Sequence, residues 1–289
     1  MSEVILGILS ILCGAAINNL GIVLQKRQVA VRLQVATEAP VSDIVVFMKD
    51  RIWAAAILMQ TVLVWPFFLY GLSVIGLTLA QPLSNSGIIV LVVGVIWILH
   101  ENLSRLESIG VALLVFGVVS VGLGNIVGEI TLESFLQPES LAAMWLLSAL
   151  IVILSVTLAA FGVVVRRARL VCLGLLSGVC YAGVSISMQV FSLSLSDLSH
   201  EMTIPLFGAG LVGTVAGTVL GIVAFKEAFK RGRATNIIPF AQITMNLLPI
   251  LAGLLVFGQT IAQPLFFWMG VLCIIAAASL LARFQEPAR

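Results

Sequence analysis

Long runs of apolar residues, separated by short polar stretches, recur from one end of the chain to the other. Crossing about 30 Å of hydrocarbon as an α-helix takes roughly 20 residues. Nine windows approach or exceed that length: 4–24, 53–75, 77–99, 108–127, 141–165, 170–193, 203–225, 234–257 and 264–282. The runs lack the period-two alternation of barrel strands, so they predict helices. The expected fold is all-α, a polytopic membrane protein of about nine helices. In the stretch 27–51 IVVFM is apolar, but Arg32, Glu38, Pro40 and Asp43 interrupt any span. That pattern predicts an amphipathic segment on the membrane surface and leaves a ten-helix variant open.

Composition strengthens this reading. With 61% hydrophobic and 10% charged residues and a mean hydropathy of +1.18, no polar shell could cover the apolar surface of a soluble globule. The first window follows MSE, with no positive n-region, and is expected to be retained as a helix rather than removed as a signal. Cys13, Cys172, Cys180 and Cys273 all fall in apolar segments, without a CxxC pair or a neighbouring His. They read as small buried hydrophobes.

Charge sets an expected orientation. Lys26, Arg27, Arg32, Lys49 and Arg51 lie between the first and second windows, Arg105 between the third and fourth, and Arg166, Arg167 and Arg169 between the fifth and sixth. Lys226, Lys230, Arg231 and Arg233 lie between the seventh and eighth, and Arg283 and Arg289 follow the ninth. Threading nine helices puts all 15 basic residues on one side. Basic loops mark the cytoplasmic face, which predicts a multi-pass cell-membrane protein with its N-terminus outside and its C-terminus cytoplasmic. The other side carries Glu3, Glu129, Glu133, Glu139, Asp197 and Glu201, a rim that either concentrates cations mildly or simply solvates the loops.

LGILSILC at 6–13 returns as LGLLSGVC at 173–180. The copies open the first and sixth helices, and the odd separation makes them antiparallel. Residues 1–127 and 169–289 then form two inverted half-repeats, joined by a linker and fifth helix in 128–168, an arrangement that transporters use for alternating access. AQPLSN in the third helix and IIPFAQ in the eighth agree, with Pro82 and Asn85 matching Pro239 and Gln242.

Here the chain resembles the drug/metabolite transporter (DMT/EamA-like) superfamily, whose half-repeats have a helix, a Glu at its cytoplasmic end, a short polar loop and a Gly-containing final helix. GVIWILHENLSRLESIGVALLVFGVV fits, with Glu101 as the acid and Gly110 and Gly117 as the glycines. LLVFGQTIAQPLFFWMGVLCIIA keeps Gly270 but has Gln259 near the place of the acid. The helix count, the outside N-terminus and LTLAQPLSNSGIIV in the third helix look most like the NIPA-type magnesium transporters. The resemblance implies an alternating-access carrier of a small solute or of Mg²⁺.

Polar groups at membrane depth are costly unless they face the bundle interior or a water-filled cavity. The candidate solute contacts are therefore Asn18, Asn19, Asn85, Gln189, Gln242 and Asn246, with Gln60 a further amide in the second helix. Gln81 and Asn85 share one helix face, as do Gln242 and Asn246, because each pair is four apart. Pro82, Pro239 and Pro249 free backbone carbonyls beside them. Helices one, three, six and eight would line a polar, uncharged cavity at the midplane. The same amides could instead be interhelical glue. Proton coupling would run through His100 and Glu101. No metal-ligand set is assigned, since no carboxylate lies deep in any window, whereas Mg²⁺ usually binds through one or two carboxylates. Gly213, Gly217 and Gly221 predict close helix packing.

An enzyme is not expected, because no nucleophile with a base, paired acids or metal cluster is in evidence. Nothing calls for a cofactor, and no Gly-x-x-x-x-Gly-Lys loop is present for ATP. The expected function is transport of a small polar solute, with divalent-cation transport and a structural or lipid-handling role as alternatives. Expected partners are that solute or ion and membrane lipid, with a homodimer open and no nucleic acid.

Overall fold

The apolar runs fold as helices. A computed structural model describes residues 2–35, 51–99, 104–124, 126–127, 130–165, 168–196, 200–229 and 234–282. Among these residues α1 spans Ser2–Val35, α2 Arg51–Leu58, α3 Val64–Ser84, α4 Ile88–Leu99 and α5 Arg105–Leu123. Then follow α6, Leu132–Phe135, α7, Pro138–Val164, α8, Arg169–Ser196, α9, Thr203–Phe229, α10, Ala234–Leu255, and α11, Pro264–Leu280. Apart from one antiparallel pairing of β1, Ile126–Val127, with β2, Thr260–Ile261, the described fold is all-α. α1 continues beyond the expected residue 24 to Val35. Residues 36–50, the rest of the expected surface segment, lie outside the described residues, as do His100 and Glu101.

Among the described residues six stretches are long and apolar enough to cross a membrane: Glu3–Leu24, Val64–Gly94, Arg105–Leu123, Pro138–Val164, Arg169–Leu195 and Thr203–Phe225. Phe240–Leu255 and Pro264–Leu280 are shorter apolar helices. Together they fit a multi-pass membrane protein. α7 shows why a bilayer suits the surface, since Trp145, Leu146, Ile153 and Val164 are all exposed and form an apolar face that water would not tolerate.

The stretch Val64–Gly94 is not one rod. Gly76 adopts φ 66° and ψ 177° inside it, a left-handed conformation open to glycine at little cost. The contacts of α1 show what the break does. Gly7, Gly14 and Gly21 meet Ile75, Phe67 and Gln60 in falling order, whereas Gly87 and Gly94 meet Ala15 and Val23 in rising order. The chain therefore doubles back at Gly76 with almost no loop. Two further irregularities border this hairpin. A π-turn covers Met59–Leu63, where Pro66 has no N–H to give the carbonyl of Val62. A 3₁₀ turn covers Asn85–Gly87, just after Pro82.

The second half shows similar relations. Gly210, Gly213, Gly217 and Gly221 of α9 meet Phe191, Ser187, Val184 and Tyr181 of α8 in turn, so these helices are antiparallel. Gly174 and Gly178 of α8 meet Phe240 and Ala241 of α10, a parallel pair. Small residues allow this close approach. Across the halves α10 runs antiparallel to the C-terminal part of α3, with Gly253 beside Thr78 and Asn246 bonded to Asn85. α11 runs antiparallel to α5, with Leu280 beside Gly110 and Ile274 beside Gly117. These directions gather Arg27, Arg51, Arg105 and Arg169 at one end of the bundle and Glu3, Glu133, Glu139 and Glu201 at the other. The basic end also carries the capping box of α5, where Ser104 N donates to Glu107 Oε2 at 2.7 Å.

Candidate functional site

A cavity of about 590 Å³ lies at mid-bundle, where segments from both halves converge. That volume is within the range of small-molecule sites. α1 contributes Asn18 and Asn19, the π-turn Gln60, α3 Gln81 and Ser84, and the 3₁₀ turn Asn85. From the other half come Tyr181 and Ser185 of α8, Thr214 and Thr218 of α9, and Gln242 of α10. Trp65, Phe68 and aliphatic side chains complete the wall, and among the described residues that line it none is charged.

Asn85 and Gln242, matched by the repeated Pro-x-x-amide pattern, are joined across the bundle. Asn85 Nδ2 donates to Asn246 Oδ1 at 2.7 Å, and Asn246 Nδ2 donates to Gln242 Oε1 at 3.0 Å and to Gln242 O at 2.8 Å. Asn246 is wholly buried and serves as the link behind the wall rather than as part of it.

Most of the other polar wall residues bond to their own helix. Asn19 Nδ2 donates to Ala15 O at 2.8 Å, Gln60 Nε2 to Ala56 O at 3.3 Å, and Asn85 Nδ2 also to Gln81 O at 3.3 Å. The hydroxyls of Ser84, Ser185 and Thr218 donate to Gln81 O at 2.8 Å, Tyr181 O at 3.3 Å and Thr214 O at 2.7 Å. A carbonyl accepts only from an N–H or O–H, so these bonds fix which end of each group is engaged. Gln81 and Thr214 differ: they are 1% and 3% exposed, and Gln81 Oε1 and Thr214 Oγ1 have no hydrogen-bond partner among the described residues.

Toward the acidic end the wall gives way to aromatic packing. Trp65 meets Phe191 edge-on at 6.2 Å between centroids, and Phe191 packs on Phe207 at 4.7 Å. Ser192 Oγ donates to Leu69 O at 3.2 Å. These contacts tie α3, α8 and α9 together.

Of the expected contacts, Asn18, Asn19, Asn85 and Gln242 lie on one wall. Gln189 does not: it is fully buried beside the cavity-lining Met188, and neither of its polar atoms has a partner among the described residues. Sequence reasoning overlooked the hydroxyls of α9. Thr214 and Thr218 are four apart and follow Gly213 and Gly217, so when the glycines face α8 the threonines share the neighbouring face. Gln259 also has a local task. Its Oε1 accepts from Thr78 N at 2.9 Å and its Nε2 donates to Ile75 O at 3.1 Å, which clamps the backbone on both sides of the Gly76 reversal. The chain matches no protein-family model, no curated protein and no solved structure.

Proposed function

We propose that the protein is a transporter that moves a small polar solute by alternating access through the mid-bundle cavity. One observation carries this reading: Asn18, Asn85 and Gln242 border one shared cavity, even though Asn85 is also bonded across the bundle to Asn246. Amides acting purely as interhelical glue would leave no such space, which weighs against a structural or lipid-handling role. The helix directions support nine spans arranged as two inverted halves. The basic residues gathered at one end support a cytoplasmic placement of that end by the positive-inside rule. On that placement the Trp65, Phe191 and Phe207 cluster lies on the outer side of the cavity. Mg²⁺ suits the wall less well, since it usually binds through one or two carboxylates and none is among the described residues of this wall.

The test is flux into proteoliposomes of purified protein, with Mg²⁺ compared against a panel of amino acids and amines, with and without a proton gradient. Asn85→Ala and Gln242→Ala are expected to cut flux at least about tenfold, as loss of a buried polar contact worth roughly 1.5 kcal/mol would, while the variants still elute as folded protein. Absence of any flux under all gradients would refute transport.

A further inference from the structure

The bonding of the wall narrows the solute, on the premise that the cavity is a carrier's binding site. Asn19 and Gln60 each direct an N–H to their own helix, and Asn85 engages both N–H bonds, one with Gln81 O and one with Asn246 Oδ1. Ser84, Ser185 and Thr218 give their single hydroxyl hydrogens to backbone carbonyls. What these six residues keep for a ligand is chiefly oxygen lone pairs. Gln81 Oε1 adds a buried acceptor without a donor, and rotation about the broad terminal torsion of the side chain redirects it. Gln242 is the counterweight, since its oxygen is taken by Asn246 and its nitrogen remains.

We propose that the cavity binds a small primary amine in its ammonium form. Such a group brings three N–H donors to the oxygens that these side chains leave open, while Asn18, Gln242 and the hydroxyls of Tyr181 and Thr214 add donors elsewhere on the wall. The rings of Trp65, Phe68 and Tyr181 border the same space, and aromatic faces attract a cation. An anion would find no cationic side chain among the described residues of the wall to balance it. Any acceptor group on the amine is directed toward Gln242.

The experiment is thermal unfolding of the full chain in detergent with n-butylammonium, n-butyrate, n-butanol or Mg²⁺ at matched ionic strength, because a ligand that binds only the folded state raises Tm. Butylammonium is expected to raise Tm in a dose-dependent way and butyrate to leave it unchanged. Gln81→Glu places a carboxylate on the wall and is expected to tighten butylammonium binding about tenfold, as charge-assisted hydrogen bonds do. Gln60→Leu removes an acceptor within the π-turn and is expected to weaken it. A Tm rise with butyrate or Mg²⁺ equal to that with butylammonium would overturn the proposal, and so would unchanged amine affinity in both variants. Liposome flux separates the two readings. Amine binding without any flux refutes transport, whereas flux confined to solutes lacking N–H donors refutes the amine site and leaves transport standing.

Discussion

Gln259 and Gln81 are both glutamines buried to within 2% of full enclosure, yet they do opposite things. Gln259 sits at the Gly76 reversal with both ends of its amide bonded to backbone on either side of the turn. Gln81 borders the mid-bundle cavity with its oxygen unpartnered. Burial alone does not separate a structural amide from a binding one. The bonding of its two ends does, because a buried group left without a partner carries a desolvation cost that a satisfied one avoids.

Substitutions sharpen this contrast. The largest effect is expected from Gly76→Val, since φ 66° is unfavourable for a β-branched residue and a Cβ there runs into the side chains of Ile130 and Gln259. A loss of about 3 kcal/mol or more is expected, read as low yield of folded protein and a Tm many degrees down. Gln259→Leu comes next. It orphans the N–H of Thr78 and the carbonyl of Ile75, at about 1–3 kcal/mol for each buried group left unpaired, and should lower Tm while sparing amine affinity in the protein that remains folded. Gln81→Leu is expected to move Tm least, by less than about 1 kcal/mol, because it removes an oxygen that was already unpaired, yet to abolish the butylammonium response. If Gln81→Leu and Gln259→Leu lowered Tm equally, the distinction between the two sites would collapse.

Much of the helical layout was legible because hydrocarbon imposes length. The windows 170–193 and 203–225 fall inside α8 and α9, and the windows 53–75 and 77–99 leave out only residue 76, where the chain turns back. The clamp on that turn was not legible, since Gln259 is more than 180 residues from Ile75 in sequence and no local pattern predicts the contact. Helix rotation was also hidden. α8 has no single apolar stripe to fix its inward face, so Gln189 was expected at the cavity while Ser185, one turn earlier, lines it. The repeated octapeptide does not mark corresponding contacts: Gly7 packs on Ile75 of α3, Gly174 on Phe240 of α10. Of the two amide pairs, Gln81, Asn85 and Gln242 border the cavity while Asn246 sits behind it.

The bond from Asn85 to Asn246 crosses between two antiparallel segments, and Gln242 holds Asn246 from within its own helix. Sliding one helix past the other by a full turn, about 5.4 Å, would break the 2.7 Å bond between Asn85 and Asn246. Tilting one against the other about that point stretches it hardly at all. A bond so placed works like the rivet of a pair of scissors, resisting translation more than it resists pivoting.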